Sequence, residues 1–245
     1  MDGGLWRIHH SPTTASTNRD AAGGLDGDVF TADVQTAGRG RLDHSWLSPP
    51  GENLLMSVVV GVGGMLPEEV ATLPLLAGLA VAEAVEALLG MSDGVAVQIK
   101  WPNDVLIGGR KACGILCERL GEHVIVGIGV NVNQTAFDAA LGGRATSLRL
   151  AAGRRFAVEA VRDGVLGRLG ASLAVWRRDG FRPLWPGIAA HDFLKGRRVS
   201  VSRIDGDENP ADGICEGIGP DGALSVGGER IYAGEAHVTG FTPNS

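Results

Sequence analysis

The 245 residues are enough for one large domain, or one large and one small. With 44% hydrophobic residues, 20% charged residues and a formal net charge of -6, the composition is that of a soluble globular protein. It excludes a general nucleic-acid or membrane-surface binder, which would carry a basic excess, and leaves room only for a local basic cleft.

The chain begins without a basic segment leading into an apolar one, so no secretory signal is expected. No apolar run reaches the roughly 18 residues that span a bilayer, and the expected location is the cytoplasm. Three cysteines (Cys113, Cys117 and Cys215) and no Cys/His cluster suit a reducing compartment, with the thiols as small buried residues.

Residues 11–22 read as a loop entering a helix, with Ser16 or Thr17 as cap and Asp20 in the first turn. Residues 29–35 alternate weakly, as a strand does. This strand delivers the chain to Gly38-Arg39-Gly40-Arg41. Residues 54–62 form a nearly continuous apolar run, hence a buried strand. Residues 75–89 carry a helical apolar stripe, with Pro74 at the start and Gly90 at the end. A strand over 95–100 precedes a hairpin, 105–107 and 112–118, turned by Gly108-Gly109. Residues 123–131 are another apolar strand, and 157–176 a second long helix. Residues 181–194 are a shorter segment broken by Pro183 and Pro186. Beyond Gly196, short β-like runs (198–203, 213–218, 223–226, 231–238) are punctuated by Gly, Pro and Asp, as in a small SH3-type barrel. The pattern predicts an α+β fold, a mixed sheet with helices, divided into residues 1–192 and 193–245.

Three stretches carry chemistry. In Gly38-Arg39-Gly40-Arg41, the glycines let backbone approach a ligand and the guanidinium forks suit phosphate or carboxylate. Alone it reads equally as a surface turn of a chain with 38 glycines. In Lys100-Trp101-Pro102-Asn103-Asp104 followed by Lys111, the hairpin can bring two ammonium groups and one carboxylate to one cleft. Those are the parts that hold a polyphosphate with Mg²⁺ and offset charge in adenylyl transfer, although a solvated Asp–Lys pair fits the spacing as well. Only three of the 22 basic residues are lysine, and Lys100 and Lys111 are two of them. In Gly127-Ile128-Gly129-Val130-Asn131-Val132-Asn133, strand glycines mark a close approach to the backbone and the two asparagines share a face.

Together with Ser16-Thr17-Asn18, Gln35, Trp46 and Gly114-Ile115-Leu116, these stretches occur in the order and spacing of biotin protein ligases. The sequence resembles that family, its biotin–[acetyl-CoA-carboxylase] ligase branch in particular, over roughly residues 14–240. The resemblance implies a sheet-and-helix fold like that of class II aminoacyl-tRNA synthetases and biotin ligases, with the barrel appended. It implies two steps: biotin and MgATP give biotinyl-5′-AMP, then a lysine of a biotin carboxyl carrier domain of acetyl-CoA carboxylase or a related carboxylase takes the biotin. Biotin, ATP and Mg²⁺ are then substrates, with no tightly bound prosthetic group. The expected assembly is a monomer or weak homodimer, with neither nucleic acid nor membrane as partner.

The resemblance also implies roles. Ser16, Thr17, Asn18, Gln35 and Gly114 would bind biotin, and Arg39, Gly40 and Arg41 would close over the activated acid. Lys111 would touch both carboxylate and α-phosphate, and Lys100 would be a second phosphate-side cation. Arg39, Arg41, Trp46, Lys100, Asn103, Lys111 and Asn131 would face the nucleotide. Asp104 and Asn131 would lie beside the metal, and Asp104 would otherwise take the proton of the incoming lysine. Asp43 and His44 replace a glycine and a basic residue of many relatives. Since the matching segment begins near residue 14, the DNA-binding repressor activity of some relatives is not expected. A lipoate or octanoate ligase or transferase of the same superfamily would lack the full pair of Gly-Arg and Lys-Trp-Pro motifs. A non-catalytic biotin-binding module would have no need of all four cations.

Overall fold

The computed structural model describes residues 6–41, 45–90, 95–141, 143–203 and 210–240. Its larger sheet has seven strands: β1 (Arg7–Thr14), β2 (Asp28–Gln35), β3 (Leu54–Gly61), β4 (Val97–Lys100), β5 (Asp104–Ile107), β6 (Arg110–Leu120) and β7 (His123–Val130). They lie in the order β1-β2-β3-β7-β6-β5-β4. The β1–β2 pair is parallel and the other neighbours are antiparallel, so the sheet is mixed. The β5–β6 turn uses Gly108 and Gly109 at φ +57° and +74°, the two positive values that a two-residue hairpin of this hand requires.

Side-chain alternation divides the sheet into two faces. Leu54, Met56, Val58 and Val60 of β3, with Val124, Val126, Ile128 and Val130 of β7, pack into the main core. That core is shared with the helices α3 (Leu73–Leu89) and α5 (Val158–Asp179). Pro67–Leu89, which comprises the one-turn α2 (Pro67–Val70) and α3, is long and apolar enough to cross a bilayer by length and composition. Glu68, Glu69, Glu83 and Glu86 interrupt it, so no unbroken apolar run in it reaches that length. Its apolar residues are buried between the sheet and α5, which accounts for their covering every side of the helix. The opposite face of the sheet carries Ser57, Gly114, Glu118, Gly127 and Gly129, and the one-turn helix α1 (Thr17–Asp20) with a small cluster of Ala21, Val59 and Ile125 covers part of it. A face lined by small and polar residues leaves space for a ligand.

The helices α4 (Leu148–Ala152) and α6 (Trp185–Ala190) lead to a second, antiparallel sheet. Its strands are β8 (Arg198–Arg203), β9 (Ala211–Ile218), β10 (Leu224–Val226), β11 (Glu229–Ile231) and β12 (Gly234–Gly240), in the order β11-β10-β9-β8-β12. This sheet is consistent with the expected SH3-like unit. Side chains of the larger unit join it to the rest, Trp101, Trp185 and Asp192 among them. Trp101 Nε1 donates to the Gly222 carbonyl (3.1 Å), Trp185 Nε1 donates to that of Ile218 (2.7 Å), and Asp192 Oδ2 accepts the Ile218 N–H (2.9 Å).

Three local readings change. Residues 11–14 belong to strand β1, not to a loop. It is an exposed polar edge strand containing Pro12, so it carries no apolar alternation to detect. Ser16 is the N-cap of α1 by backbone geometry, but its side chain makes no capping bond. The run 231–238 is two strands, separated at Tyr232-Ala233. The cysteines behave as small core residues: Cys113 and Cys215 are buried, and burial pushes the Cys117 and Cys215 thiols up to about 12.

Asp28 anchors β1 to β2. It accepts from the Leu25 N–H (2.7 Å), Arg7 Nε (2.7 Å) and His9 Nε2 (3.2 Å). The Leu25 backbone bond is the main cause that lowers its carboxyl from 3.8 to about 2, with His9 and Arg7 adding to it. A depressed folded-state value stabilises above the unfolded one and loses that effect as pH falls towards the folded one. Asp28→Asn is therefore expected to cost about 1 kcal/mol at pH 7, after allowance for solvent. Denaturant titrations should show that deficit shrinking between pH 3.8 and 2. A deficit that does not vary with pH would contradict the assignment.

Candidate active site

The open face of the larger sheet carries a row of polar side chains. At one end, Gln35 closes β2 and its Oε1 accepts from the Thr17 N–H (2.8 Å) and Thr17 Oγ1 (3.0 Å). Ser57 Oγ lies 2.7 Å from Thr17 Oγ1 and 2.6 Å from Asn18 Oδ1. Ser16, Thr17, Asn18 and Ser57 are all buried. Asn18 fits because β7 has glycine beneath it: a Cβ at Gly127 would stand 3.1 Å from Asn18 Cγ. The oxygens of this row outnumber its protons. Thr17 and Ser57 have one hydroxyl proton each, yet three oxygen–oxygen contacts join Gln35, Thr17, Ser57 and Asn18.

The next space along β7 holds Trp46. A Cβ at Gly129 would approach its indole to 2.6 Å, and one at Gly114, the partner of Gly129 on β6, to 2.9 Å. Lys111 Nζ lies 6.0 Å from the Trp46 ring centroid and 2.7 Å from Asp104 Oδ1. A bulge between Val105 and Leu106 adjusts the β5–β6 register between these two residues. Across the 101–103 turn, Lys100 pairs with Asp104 in register. Burial pushes the Lys100 ammonium downward, Asp104 and Glu235 pull it back up, and Lys111 and Arg144 add like-charge repulsion. The site therefore concentrates positive charge in a cleft of an acidic protein.

The Gly-Arg loop crosses over these groups. Arg39 Nη2 reaches Glu118 Oε1 (2.9 Å) on β6. Arg41 Nη1 donates to Asn103 Oδ1 (3.3 Å) and Nη2 to the Gly234 carbonyl (3.1 Å) at the start of β12, and Gly40 lies between the two arginines. Asn103 is held in turn by the Ile115 carbonyl (2.7 Å). Asp43 and His44 lie outside the described residues.

Asn131 borders the group, its Nδ2 donating to the Thr146 carbonyl (3.0 Å). Asn133 does not take part: its carboxamide closes on the Phe156 backbone at 2.8 and 3.0 Å. Among the described residues no group of three or more His, Cys, Asp and Glu side chains could hold a metal. Among them, too, only Trp46 Nε1, Asp104 Oδ1 and Thr146 Oγ1 are buried side-chain polar atoms without a hydrogen-bond partner. All three adjoin Lys111: Asp104 by a charge contact without hydrogen-bond alignment, Trp46 by its ring, and Thr146 through its N–H to the Lys111 carbonyl (2.9 Å). Buried orphans are rare in native structures, and here Trp46 Nε1 and Thr146 Oγ1 belong to two residues in contact with Lys111.

Sequence reasoning missed Ser57 and Glu118. Each had a signal. Ser57 is the lone hydroxyl in an apolar strand, and Glu118 stands four residues from Gly114 on the same face of β6.

Residues 10–132 match the model of the Biotin/lipoate A/B protein ligase family. The chain is similar to the biotin–[acetyl-CoA-carboxylase] ligase of Mycobacterium tuberculosis, with 34% identity over 92% of this chain and 85% of that protein. It is 42% identical over 53% of its length to the bifunctional ligase/repressor BirA of Bacillus subtilis, and that match spans only 41% of the relative. Its fold is similar to that of the Aquifex aeolicus biotin protein ligase solved with biotin and ATP (TM-score 0.82, 28% identity, 95% of this chain and 98% of that one).

Proposed function

Because the chain belongs to the Biotin/lipoate A/B protein ligase family, we propose that it is an ATP-dependent biotin–protein ligase. It activates biotin as biotinyl-5′-AMP and passes it to a lysine of a biotin carboxyl carrier domain. The observation that carries the choice of biotin is the buried polar row. A ureido ring offers both N–H donors and a carbonyl acceptor, which suits a row short of donors. The dithiolane of lipoate offers neither, and would leave buried polar groups unpaired at about 1–3 kcal/mol each.

In the first step the biotin carboxylate attacks the α-phosphorus and pyrophosphate leaves. Lys111 and Lys100 offset the charge that builds on the phosphoryl oxygens, and Arg41 covers the product. Asp104, in contact with Lys111, positions that ammonium. Asp104 and Asn131 are the side chains that would hold a magnesium ion accompanying ATP, which would offset phosphate charge. A single carboxylate with a neighbouring amide fits an ion carried largely by substrate oxygens. In the second step the carrier amine attacks the anhydride carbonyl and AMP departs. We further infer that residues 1–192 are the catalytic unit and 193–245 the barrel, since the seven-stranded sheet lies wholly in the first and the five-stranded one wholly in the second. The barrel lends the Gly234 carbonyl to Arg41. The protein works in the cytoplasm, without nucleic acid, as a monomer or weak homodimer.

The test is ATP–pyrophosphate exchange with biotin against lipoate, followed by addition of a carrier domain. Biotin-dependent exchange at least about 100-fold above that with lipoate is expected, since one unpaired polar contact alone is worth about tenfold and several are at stake. Equal exchange with both acids would remove the biotin assignment, and binding without exchange would leave a non-catalytic module.

A further inference from the structure

Strand β4 is the terminal strand of the larger sheet, and a terminal strand leaves backbone groups to be paired from outside. Residues 191–193 pair them. The Ile99 N–H donates to the His191 carbonyl (2.7 Å), and the Phe193 N–H donates to the Ile99 carbonyl (2.9 Å). Asp192 is the residue bridged to Ile99, in parallel register. The segment that leads into the second sheet therefore runs as a short added strand, one residue from Lys100. Trp101, on the other side of Lys100, is fixed by its bond to the Gly222 carbonyl. Both chain neighbours of Lys100 are thus held by residues that follow position 190.

The Asp192 carboxylate locks this arrangement. Oδ1 accepts the N–H groups of Leu194 (2.8 Å) and Lys195 (3.3 Å), which turns the chain out of the added strand, and Oδ2 accepts the Ile218 N–H (2.9 Å) at the end of β9. The Ile218 carbonyl is taken by Trp185 Nε1 (2.7 Å), so both backbone groups of that residue are bound by the larger unit. Gly217 leaves the room: at φ +117°, a Cβ there would stand 3.1 Å from Asp192 Oδ2. Burial pushes the Asp192 carboxyl upward, while the three N–H groups and Lys195 pull it back. A carboxylate is required because it accepts at both oxygens. Asparagine, of the same size, would turn an N–H₂ towards either Ile218 or the pair Leu194 and Lys195, all of them donors.

We propose that Asp192 is a positioning residue for Lys100: by fastening the added strand 191–193 to β9, it fixes the end of β4 from which the Lys100 ammonium enters the cleft. Asp192 acts through Ile99 and not on a substrate itself. The effect on ATP rests on the ligase reading, in which Lys100 faces the phosphates; the fastening itself does not.

Amide hydrogen exchange in the ligand-free protein tests the fastening. Asp192→Asn is expected to speed exchange at Ile99, Phe193 and Ile218 roughly tenfold, as loss of a charge-assisted bond would, with no change at the paired Val58 and Val126 of β3 and β7. In ATP–pyrophosphate exchange the same variant should lower kcat/KM for ATP about tenfold while the calorimetric Kd for biotin stays within about twofold, a split that general loosening would not produce. In a Lys100→Ala background, Asp192→Asn should change kcat/KM for ATP by less than about twofold, because its route through Lys100 is gone. Trp185→Phe, which releases the Ile218 carbonyl from the same clamp, serves as a second variant and should lower kcat/KM for ATP about threefold with unchanged biotin affinity. Unaltered ATP kinetics in both folded variants, equal losses towards ATP and biotin, or an Asp192→Asn effect that persists undiminished without Lys100 would overturn the proposal. Wild-type protein with no biotin-dependent exchange of pyrophosphate, alongside the expected hydrogen-exchange response, would remove the ligase reading and support the fastening.

Discussion

Lys111→Ala is expected to lower biotin-dependent ATP–pyrophosphate exchange by about 10²–10³-fold, the effect of removing one preorganised charge from a developing oxyanion. Lys111 Nζ stands 6.0 Å from the Trp46 ring centroid and 2.7 Å from Asp104 Oδ1. Its side chain is 40% exposed, so the substitution removes little packing, and the Asp104–Lys111 contact itself is worth little in solvent. The melting temperature should therefore stay within a few degrees of wild type. Lys111→Arg should not restore activity, because a planar fork cannot replace a compact ammonium between a ring and a carboxylate. Exchange at the wild-type rate in Lys111→Ala would remove this residue from the chemistry. If the loss were traced instead to unfolding, the role would be structural.

Trp101→Ala carries the largest expected effect on stability. The side chain is 2% exposed, belongs to the main core, and hydrogen-bonds the Gly222 carbonyl across to the second sheet. Loss of a buried tryptophan costs about 3–5 kcal/mol. At about 2–4 °C per kcal/mol for a chain of this size, the melting temperature should fall by roughly 10 °C. Trp101→Phe keeps most of the apolar volume and leaves the Gly222 carbonyl unpaired, so about 1–3 kcal/mol is expected. Calorimetry of the two variants separates packing from the hydrogen bond. A Trp101→Ala melting temperature within 2 °C of wild type, on the order of one kcal/mol by the same conversion, would show that this residue does not hold the two sheets together. Because Trp101 sits between Lys100 and Asn103, its loss should also raise KM for ATP.

Much of this was legible in the sequence, for identifiable reasons. Strands β3 and β7 announce themselves because burial on both faces makes their apolar runs nearly continuous, and the β5–β6 hairpin because φ of +57° and +74° in succession favours Gly-Gly. The short distance between Asp104 and Lys111 follows from that turn, since a hairpin brings nearby residues together. Edge strand β1 was not legible: exposed, polar and interrupted by Pro12, it is held by pairing with β2 and by Asp28, and neither leaves a periodic trace.

The sequence by itself determined the element types, the glycine positions and the set of charged and amide side chains available for chemistry. Only the tertiary structure decided which of them meet. Ser57, Asn18 and Glu118 come from β3, α1 and β6, separated by 39 and 100 residues along the chain, and they become neighbours because β7 lies between β3 and β6 with glycine at 127 and 129. Arg41 reaching Gly234 spans 193 residues and depends on how the second sheet is seated. Local propensity sets the conformation of each segment, but non-local strand order sets the site, and no short-range pattern encodes that order.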